Sequence, residues 1–78
     1  IVINSDELRK GVNILDFIAN SKILSSKSEA RRAIANRGFK IDGDIVIDEK
    51  KILKKNDFKK NFFKLSFGKK KHFIIKII

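Results

Sequence analysis

The sequence contains no cysteine, methionine, proline or tryptophan, and it has a single histidine among 78 residues. Without cysteine, neither a disulfide nor a thiolate metal site supports the fold. With His72 alone, a paired-histidine metal site is excluded as well. The lack of methionine and the first residue, Ile1, lead us to expect a domain from a longer protein. No stretch has the length and apolarity of a secretory signal or a membrane span.

Glycine is sparse too, and its four occurrences are dispersed, so no Gly-rich phosphate loop is present. Asp42, Asp44 and Asp48 lack the closing glutamate of a calcium loop and are typical of turns instead. His72, in an apolar strand pattern, is more typical of a partly packed polar residue than of a ligand. No nucleophile, base and orienting residue occur as a set. The sequence therefore predicts no catalytic site, no metal and no cofactor within this chain.

What is abundant is positive charge, and it is concentrated in two segments. The net charge is +10. Residues 25–40 hold five basic residues and one acidic residue, and residues 58–78 hold seven lysines and no acid. The segments 1–24 and 41–57 are close to neutral. This distribution favours a polyanionic partner, provided that folding brings the two basic segments together.

Two helices are predicted in the first half of the chain. Asn13 is placed to cap a helix over residues 14–20, whose apolar residues share one face. Ser26 and Glu29 have the spacing of a capping box, in which the hydroxyl accepts from the Glu29 N–H and the carboxylate accepts from the Ser26 N–H. Ala30, Ala33 and Ile34 then give the second helix a buried stripe. We expect it to end near Arg37-Gly38, with glycine as the left-handed residue.

The second half has the period-two pattern of strands. Phe39 and Ile41 alternate with Lys40, and the Asp42-Gly43 turn leads to a strand over residues 45–47. Residues 62–67 and 72–77 form two further strands joined by a turn over residues 68–71. Ile52 and Leu53 anchor a loop that is otherwise solvated. The predicted fold is α+β, with two helices packed on a small, mostly antiparallel sheet. Residues 1–10 are expected to be a linker from the parent protein and residues 11–78 the folded domain. Within the linker, residues 1–3 are either its tail or a short strand.

The candidate binding residues are cations near the second helix and in the last turn. Lys27 and Arg31 lie four residues apart on one helix edge, so both side chains can present to one ligand. Together with Arg37 and Lys40 they are expected to surround the helix N-terminus, where free N–H groups favour phosphate. Arg32 points away and is expected to pair with Glu29, although it is also a possible RNA contact. An ordinary solvated surface would explain the helix edge and the lysines of the turn, Lys69, Lys70 and Lys71, equally well.

The run from Leu24 to Arg32, followed by Ile34, Gly38, Ile41 and Asp42-Gly43, resembles a small RNA-binding module. This module, the alpha-L motif, is named after ribosomal protein S-four. The version at the C-terminus of bacterial tyrosyl-tRNA synthetases is the closer in pattern, because it has a similar Ser-Ser-Lys-Ser-Glu-Ala-Arg-Arg run. It also ends in a strand, a Gly-Lys-Lys turn and a last strand, as residues 65–78 do here. The resemblance covers residues 11–78.

The resemblance implies a function outside catalysis. Such a domain follows the catalytic and anticodon-side domains and holds the anticodon stem and long variable arm of tyrosine tRNA. ATP and tyrosine would bind the parent's catalytic domain. The parent would form a homodimer through that domain and would be located in the cytoplasm. The positions that match the family's RNA contacts are Ser26, Lys27, Arg31 and Lys40, followed by Lys69 and Lys70.

Three positions depart from the family pattern. Lys22 and Arg37 stand where glycine is frequent, and Asp42 stands where asparagine is common before glycine. Lys22 either adds a phosphate contact or changes the turn. Asp42 places a negative charge near the expected groove, which argues against RNA contact by the strand turn, and the cation at Arg37 could compensate for it.

Two other functions remain open at this point. The helix motif is shared with pseudouridine synthases and other RNA-modifying enzymes, in which the module usually precedes the catalytic domain. A basic module that binds protein or a membrane surface is the third interpretation, although the β-branched C-terminal segment does not favour an amphipathic helix.

Overall fold

Three helices lie on one face of a five-stranded sheet in the computed structural model, which describes all 78 residues. The strand order is β1-β7-β6-β3-β4, and every pairing is antiparallel except that of β1 with β7. A second sheet pairs β2 with β5. The helices are α1 Ser5–Lys10, α2 Ile14–Asn20 and α3 Lys27–Ala35. The strands are β1 Val2–Ile3, β2 Val12–Asn13, β3 Phe39–Ile41, β4 Asp44–Ile45, β5 Ile52–Leu53, β6 Phe62–Phe67 and β7 Lys71–Ile77, with a 3-10 turn at Lys55–Asp57.

The α+β prediction is confirmed, and both predicted helices are present. Asn13 caps α2, since its side-chain oxygen accepts the N–H groups of Leu15 at 2.9 Å and Asp16 at 3.2 Å. Ser26 caps α3 by accepting the N–H of Glu29 at 3.2 Å. The other half of the predicted capping box is wrong, because the Glu29 carboxylate accepts from the Ser25 hydroxyl instead.

The N-terminal segment is folded, in contrast to the linker expected for residues 1–10. Ile3 in β1 and Leu8 in α1 are buried in the core. Asn4 caps α1 by accepting the Asp6 N–H at 2.7 Å. The short lengths of these elements explain why periodicity did not reveal them: α1 has six residues and only one that is buried.

The hydrophobic core joins the helices to the inner face of the large sheet. Ala30 and Ile34 of α3 are buried, as the helical spacing predicted, and Phe39 is fully buried. The Phe39 ring stacks on Phe67 with centroids 4.7 Å apart. Phe39 is therefore a core residue whose ring is not available to stack on an RNA base. The full core comprises Ile3, Leu8, Ile14, Leu15, Phe17, Ile18, Ala30, Ile34, Phe39, Ile41, Val46, Leu53, Phe58, Phe63, Leu65, Ile75 and Ile77.

The α3 helix ends in a motif that corrects one prediction. Arg37 donates its N–H to the Ile34 carbonyl at 2.9 Å, and Gly38 donates to the Ala33 carbonyl at 2.8 Å. This is the Schellman pattern, and the left-handed residue in it is Arg37, with φ of +58°, rather than Gly38. Gly38 is needed for space, because a Cβ there would lie 3.2 Å from both the Ala33 oxygen and the Phe67 ring.

The α2 helix ends in the same way. Lys22 has φ of +60° and donates its N–H to the Ala19 carbonyl at 3.2 Å, while Ile23 donates to Ile18 at 3.2 Å. Two cationic side chains therefore occupy left-handed positions that glycine would fill without steric cost.

The predicted strands are present with one difference. The Asp42-Gly43 turn has positive φ at both residues, +49° and +92°, as primed hairpin turns require. The strand after it is shorter than the predicted 45–47, since β4 ends at Ile45 and Ile47 is 73% exposed. Ile52 and Leu53, expected to anchor a loop, pair with β2 as β5.

Candidate nucleic-acid interface

Folding brings the two basic segments into contact at one corner of the molecule. Gly68, in the β6–β7 turn, donates its N–H to the Gly38 carbonyl at 2.9 Å. The neighbouring residues Phe39 and Phe67 are paired in the sheet. The end of α3 and the lysine-rich turn therefore lie side by side. We call the exposed cations of this junction the basic corner: Arg37, Lys69, Lys70 and Lys71.

The cations of the basic corner form no ion pair within the chain. The three salt bridges of the structure lie elsewhere and involve Arg9, Lys27 and Arg31. Lys71 lies opposite Phe67 on the neighbouring strand, at the end of the sheet. Its side chain is therefore on the face of the sheet that the helices cover. Because these charges are exposed and unpaired, the basic corner can neutralise phosphates without first breaking an internal contact.

The cations of the predicted edge of α3, Lys27 and Arg31, do form ion pairs, unlike those of the basic corner. Lys27 pairs with Asp16 of α2 at 2.5 Å, and the Arg31 Nε pairs with Glu49 at 2.9 Å. The two side chains therefore turn to different carboxylates rather than to one shared position. All four side chains are substantially exposed, so each pair contributes at most about 1 kcal/mol to stability. A phosphate can replace either carboxylate at small cost.

Arg32 reverses its predicted role. It forms no ion pair, and the Glu29 carboxylate accepts from the Ser25 hydroxyl instead. Arg32 is thus an exposed free cation on α3, whereas Arg31 is the one with a partner.

Two other predicted residues lie away from the N-terminus of α3. Arg37 is beyond the C-terminal end of a helix that is nine residues, or about 13 Å, long. Lys40 lies between Phe39 and Ile41, both of which are buried against the helices. Because successive strand residues face opposite sides, Lys40 lies on the outer face of the sheet. The prediction that all four cations surround the helix N-terminus is therefore wrong.

The remaining predicted positions are simpler. Ser26 is occupied as the helix cap, and Lys22 is exposed at the end of α2. Asp42 has a structural role: its carboxylate accepts the Lys64 N–H at 2.9 Å, and its own N–H donates to the Lys64 carbonyl at 2.9 Å. These two hydrogen bonds join the turn to β6, and they explain why an acidic residue occupies position 42.

Four residues near the candidate site, Asp16, Glu49, Lys64 and Lys76, were not predicted from the sequence. Asp16 and Glu49 act on Lys27 and Arg31 from other parts of the chain, and no local pattern indicates those pairings. Lys64 and Lys76 are solvent-facing positions of β6 and β7. The alternation of these two lysines with buried residues could have indicated that they face solvent. No sequence pattern indicates how the strands are aligned with one another.

No group of three or more histidine, cysteine, aspartate or glutamate side chains is arranged to hold a metal ion. No helix has the length and apolarity needed to cross a bilayer.

Comparison with known proteins places the chain in a family. The family model of the tyrosine–tRNA ligase SYY-like C-terminal domain matches residues 3–75. This chain belongs to that family. The match begins at Ile3, so the family's domain includes α1, in agreement with the folded N-terminal segment.

Relatives of this C-terminal domain are found in several bacteria. A tyrosine–tRNA ligase of Pelagibacter ubique is 45% identical over 76 residues, which are 97% of this chain and 19% of that protein. One of Bartonella quintana is 38% identical over 77 residues, 97% of this chain and 18% of the relative. One of Mycoplasma mobile is 35% identical over 81 residues, 97% of this chain and 20% of the relative. The chain thus spans about a fifth of the length of these relatives.

Proposed function

We propose that this C-terminal domain binds tyrosine tRNA and grips its anticodon stem and long variable arm. The parent protein would attach tyrosine to that tRNA in the cytoplasm, with ATP and tyrosine bound in its catalytic part and with dimerisation through the same part. The relatives' name, tyrosine–tRNA ligase, supports this assignment. The observation that carries it is the convergence of two basic segments at the basic corner.

The surface suits contacts to phosphates and RNA shape rather than to base edges. Its cations are lysines and arginines on a helix and a hairpin turn, and the two phenylalanines beside them, Phe39 and Phe67, stack on each other. Double-stranded RNA is recognised mostly in this way, because its deep major groove hides the bases. The free cations of the basic corner would bind first, and Lys27 and Arg31 would exchange their carboxylates for phosphates.

The test is a titration of the 78-residue chain with tyrosine tRNA and with a tRNA lacking the long variable arm. We expect tighter binding to tyrosine tRNA. The double substitution Lys69→Ala/Lys70→Ala should weaken it by about tenfold or more, because each lysine that neutralises a phosphate supplies part of the electrostatic affinity. The control Lys50→Ala/Lys54→Ala removes the same charge from an exposed region outside the basic corner.

Equally weakened binding in the two double variants would show that net charge alone drives binding, and the proposed site would be wrong. Equal affinity for both tRNAs would remove the role of the variable arm.

A further inference from the structure

The outer face of the large sheet, opposite the helices, carries a straight line of lysines. Lys40 is paired with Ser66, and Lys64 lies two residues earlier on the same strand as Ser66. Lys64 is paired with Ile74, and Lys76 lies two residues later on β7. Each step moves one strand across and two residues along in the same direction. Lys40, Lys64 and Lys76 therefore form a diagonal, which we call the lysine stripe, with neighbours about 7–8 Å apart.

All three lysines of the stripe are exposed and form no ion pair. The carboxylate beside them belongs to Asp42, which is engaged with the Lys64 backbone N–H. The stripe is also separate from the basic corner in orientation. Lys40 and Lys64 lie on the outer face of their strands, whereas Lys71 lies on the helix side.

An apolar groove adjoins one end of the stripe. It has a volume of about 450 Å³, and its lining includes Phe62, Ile74 and Lys76. Phe62 is paired with Lys76 and is 41% exposed, and Ile74 is 52% exposed. Lys60 lies with its Nζ 5.6 Å from the centroid of the Phe62 ring. An exposed aromatic ring among cations is the arrangement on which unpaired bases stack.

We propose that this outer face is a second RNA-binding surface, which takes a single RNA strand. Lys40, Lys64 and Lys76 contact successive phosphates, and a base stacks on Phe62 in the groove. The inference rests on the proposed function in requiring that the chain binds RNA, but it concerns a different face and unpaired RNA. A protein partner is disfavoured because lysine is depleted at protein–protein interfaces. A membrane surface is disfavoured because the face is a sheet and not an amphipathic helix.

The test uses a fluorescent oligouridylate of about 12 nucleotides, a length within the range of single-strand sites. Lys64→Ala/Lys76→Ala should weaken its binding about tenfold, while affinity for tyrosine tRNA changes less than about twofold. Phe62→Ala should weaken oligouridylate binding at least about fivefold, the effect of removing one stacked base. Asp42→Asn should strengthen it, since asparagine keeps the acceptor and tolerates the left-handed turn without the negative charge. Thermal unfolding by circular dichroism verifies that each variant is folded.

The control variants are Lys50→Ala/Lys54→Ala, which matches the change in charge, and Lys69→Ala/Lys70→Ala in the basic corner. The inference is overturned if either control weakens oligouridylate binding as much as the stripe variant does. It is equally overturned if the chain prefers phosphatidylserine vesicles to the oligonucleotide through the same lysines. Binding of tyrosine tRNA without binding of oligouridylate would overturn this inference alone, whereas failure to bind either RNA would overturn the proposed function too.

Discussion

Lys22 and Arg37 are long cationic side chains held in a backbone conformation that favours glycine. The left-handed region costs a residue with a Cβ roughly 1–2 kcal/mol, which is a large part of the stability of a small domain. Each lies just beyond the end of a helix, where the carbonyl dipoles favour a positive charge. That attraction is worth less than the strain, so helix capping alone does not account for Arg37. Its place in the basic corner supplies a reason for a cation there.

The first prediction concerns this balance at Arg37. Arg37→Gly should raise the free energy of unfolding by about 0.5–1 kcal/mol, since relief of strain exceeds the added entropy of the unfolded chain. It should weaken binding to tyrosine tRNA at the same time. Urea unfolding and tRNA titration measure the two effects. Gly38→Ala is the matched control: its Cβ would press on Ala33 and Phe67, so it should destabilise. A destabilised Arg37→Gly variant would contradict the strain argument.

The second prediction concerns the carboxylate that holds Arg31. Glu49→Gln removes the charge 2.9 Å from the Arg31 Nε and should strengthen tRNA binding severalfold, because the guanidinium no longer has to leave an ion pair. Stability should change by less than about 1 kcal/mol, as is usual for exposed pairs. Weaker binding would instead mean that Glu49 orients Arg31 toward RNA. Glu7→Gln, an exposed carboxylate of α1 that forms no ion pair, is the control.

At the scale of elements, local signals predicted well where they were strong. The caps Asn13 and Ser26 and the Asp42-Gly43 turn fix backbone geometry within a few residues, and the structure has them as expected. Strand β1, with two residues, and helix α1, with one buried residue, are too short for periodicity to reveal. They form because tertiary partners complete them, as when β1 pairs with the distant β7.

The third prediction tests whether this N-terminal element is structural. Leu8 is completely buried, so Leu8→Ala should destabilise the chain by about 2–5 kcal/mol. For a domain of this size each kcal/mol lowers the melting temperature by roughly 4–8 °C. Arg9→Ala, which breaks only an exposed ion pair with Asp6, should change the melting temperature little. Equal melting temperatures for the two variants would mean that residues 1–10 are a linker and do not contribute to the stability of the domain.

For the whole molecule, the arrangement of charge matters more than its total. Both basic segments were located from the sequence, but the pairing of Lys27 with Asp16 and the alignment of Lys40 with Lys64 were not, since both follow from tertiary contacts. In the folded chain, three groups of cations are distinct. Those of the basic corner form no ion pair, those on the edge of α3 pair with carboxylates, and those of the lysine stripe lie on the outer face of the sheet. A tRNA docked on the basic corner meets only part of the net charge of +10.

The fourth prediction follows from this sorting and concerns salt dependence. The logarithm of affinity falls with the logarithm of salt concentration by about 0.9 for each neutralised phosphate of a duplex. Six contacts, four from the basic corner and two from Lys27 and Arg31, give a slope of about −5.4, whereas engagement of ten charges would give about −9. We expect the smaller slope for tyrosine tRNA, and Lys69→Ala should reduce its magnitude by about 1. Lys50→Ala should leave the slope unchanged, since that side chain lies outside the basic corner. A slope near −9, or equal changes in the two variants, would mean that RNA meets the whole basic surface and that the basic corner has no special role.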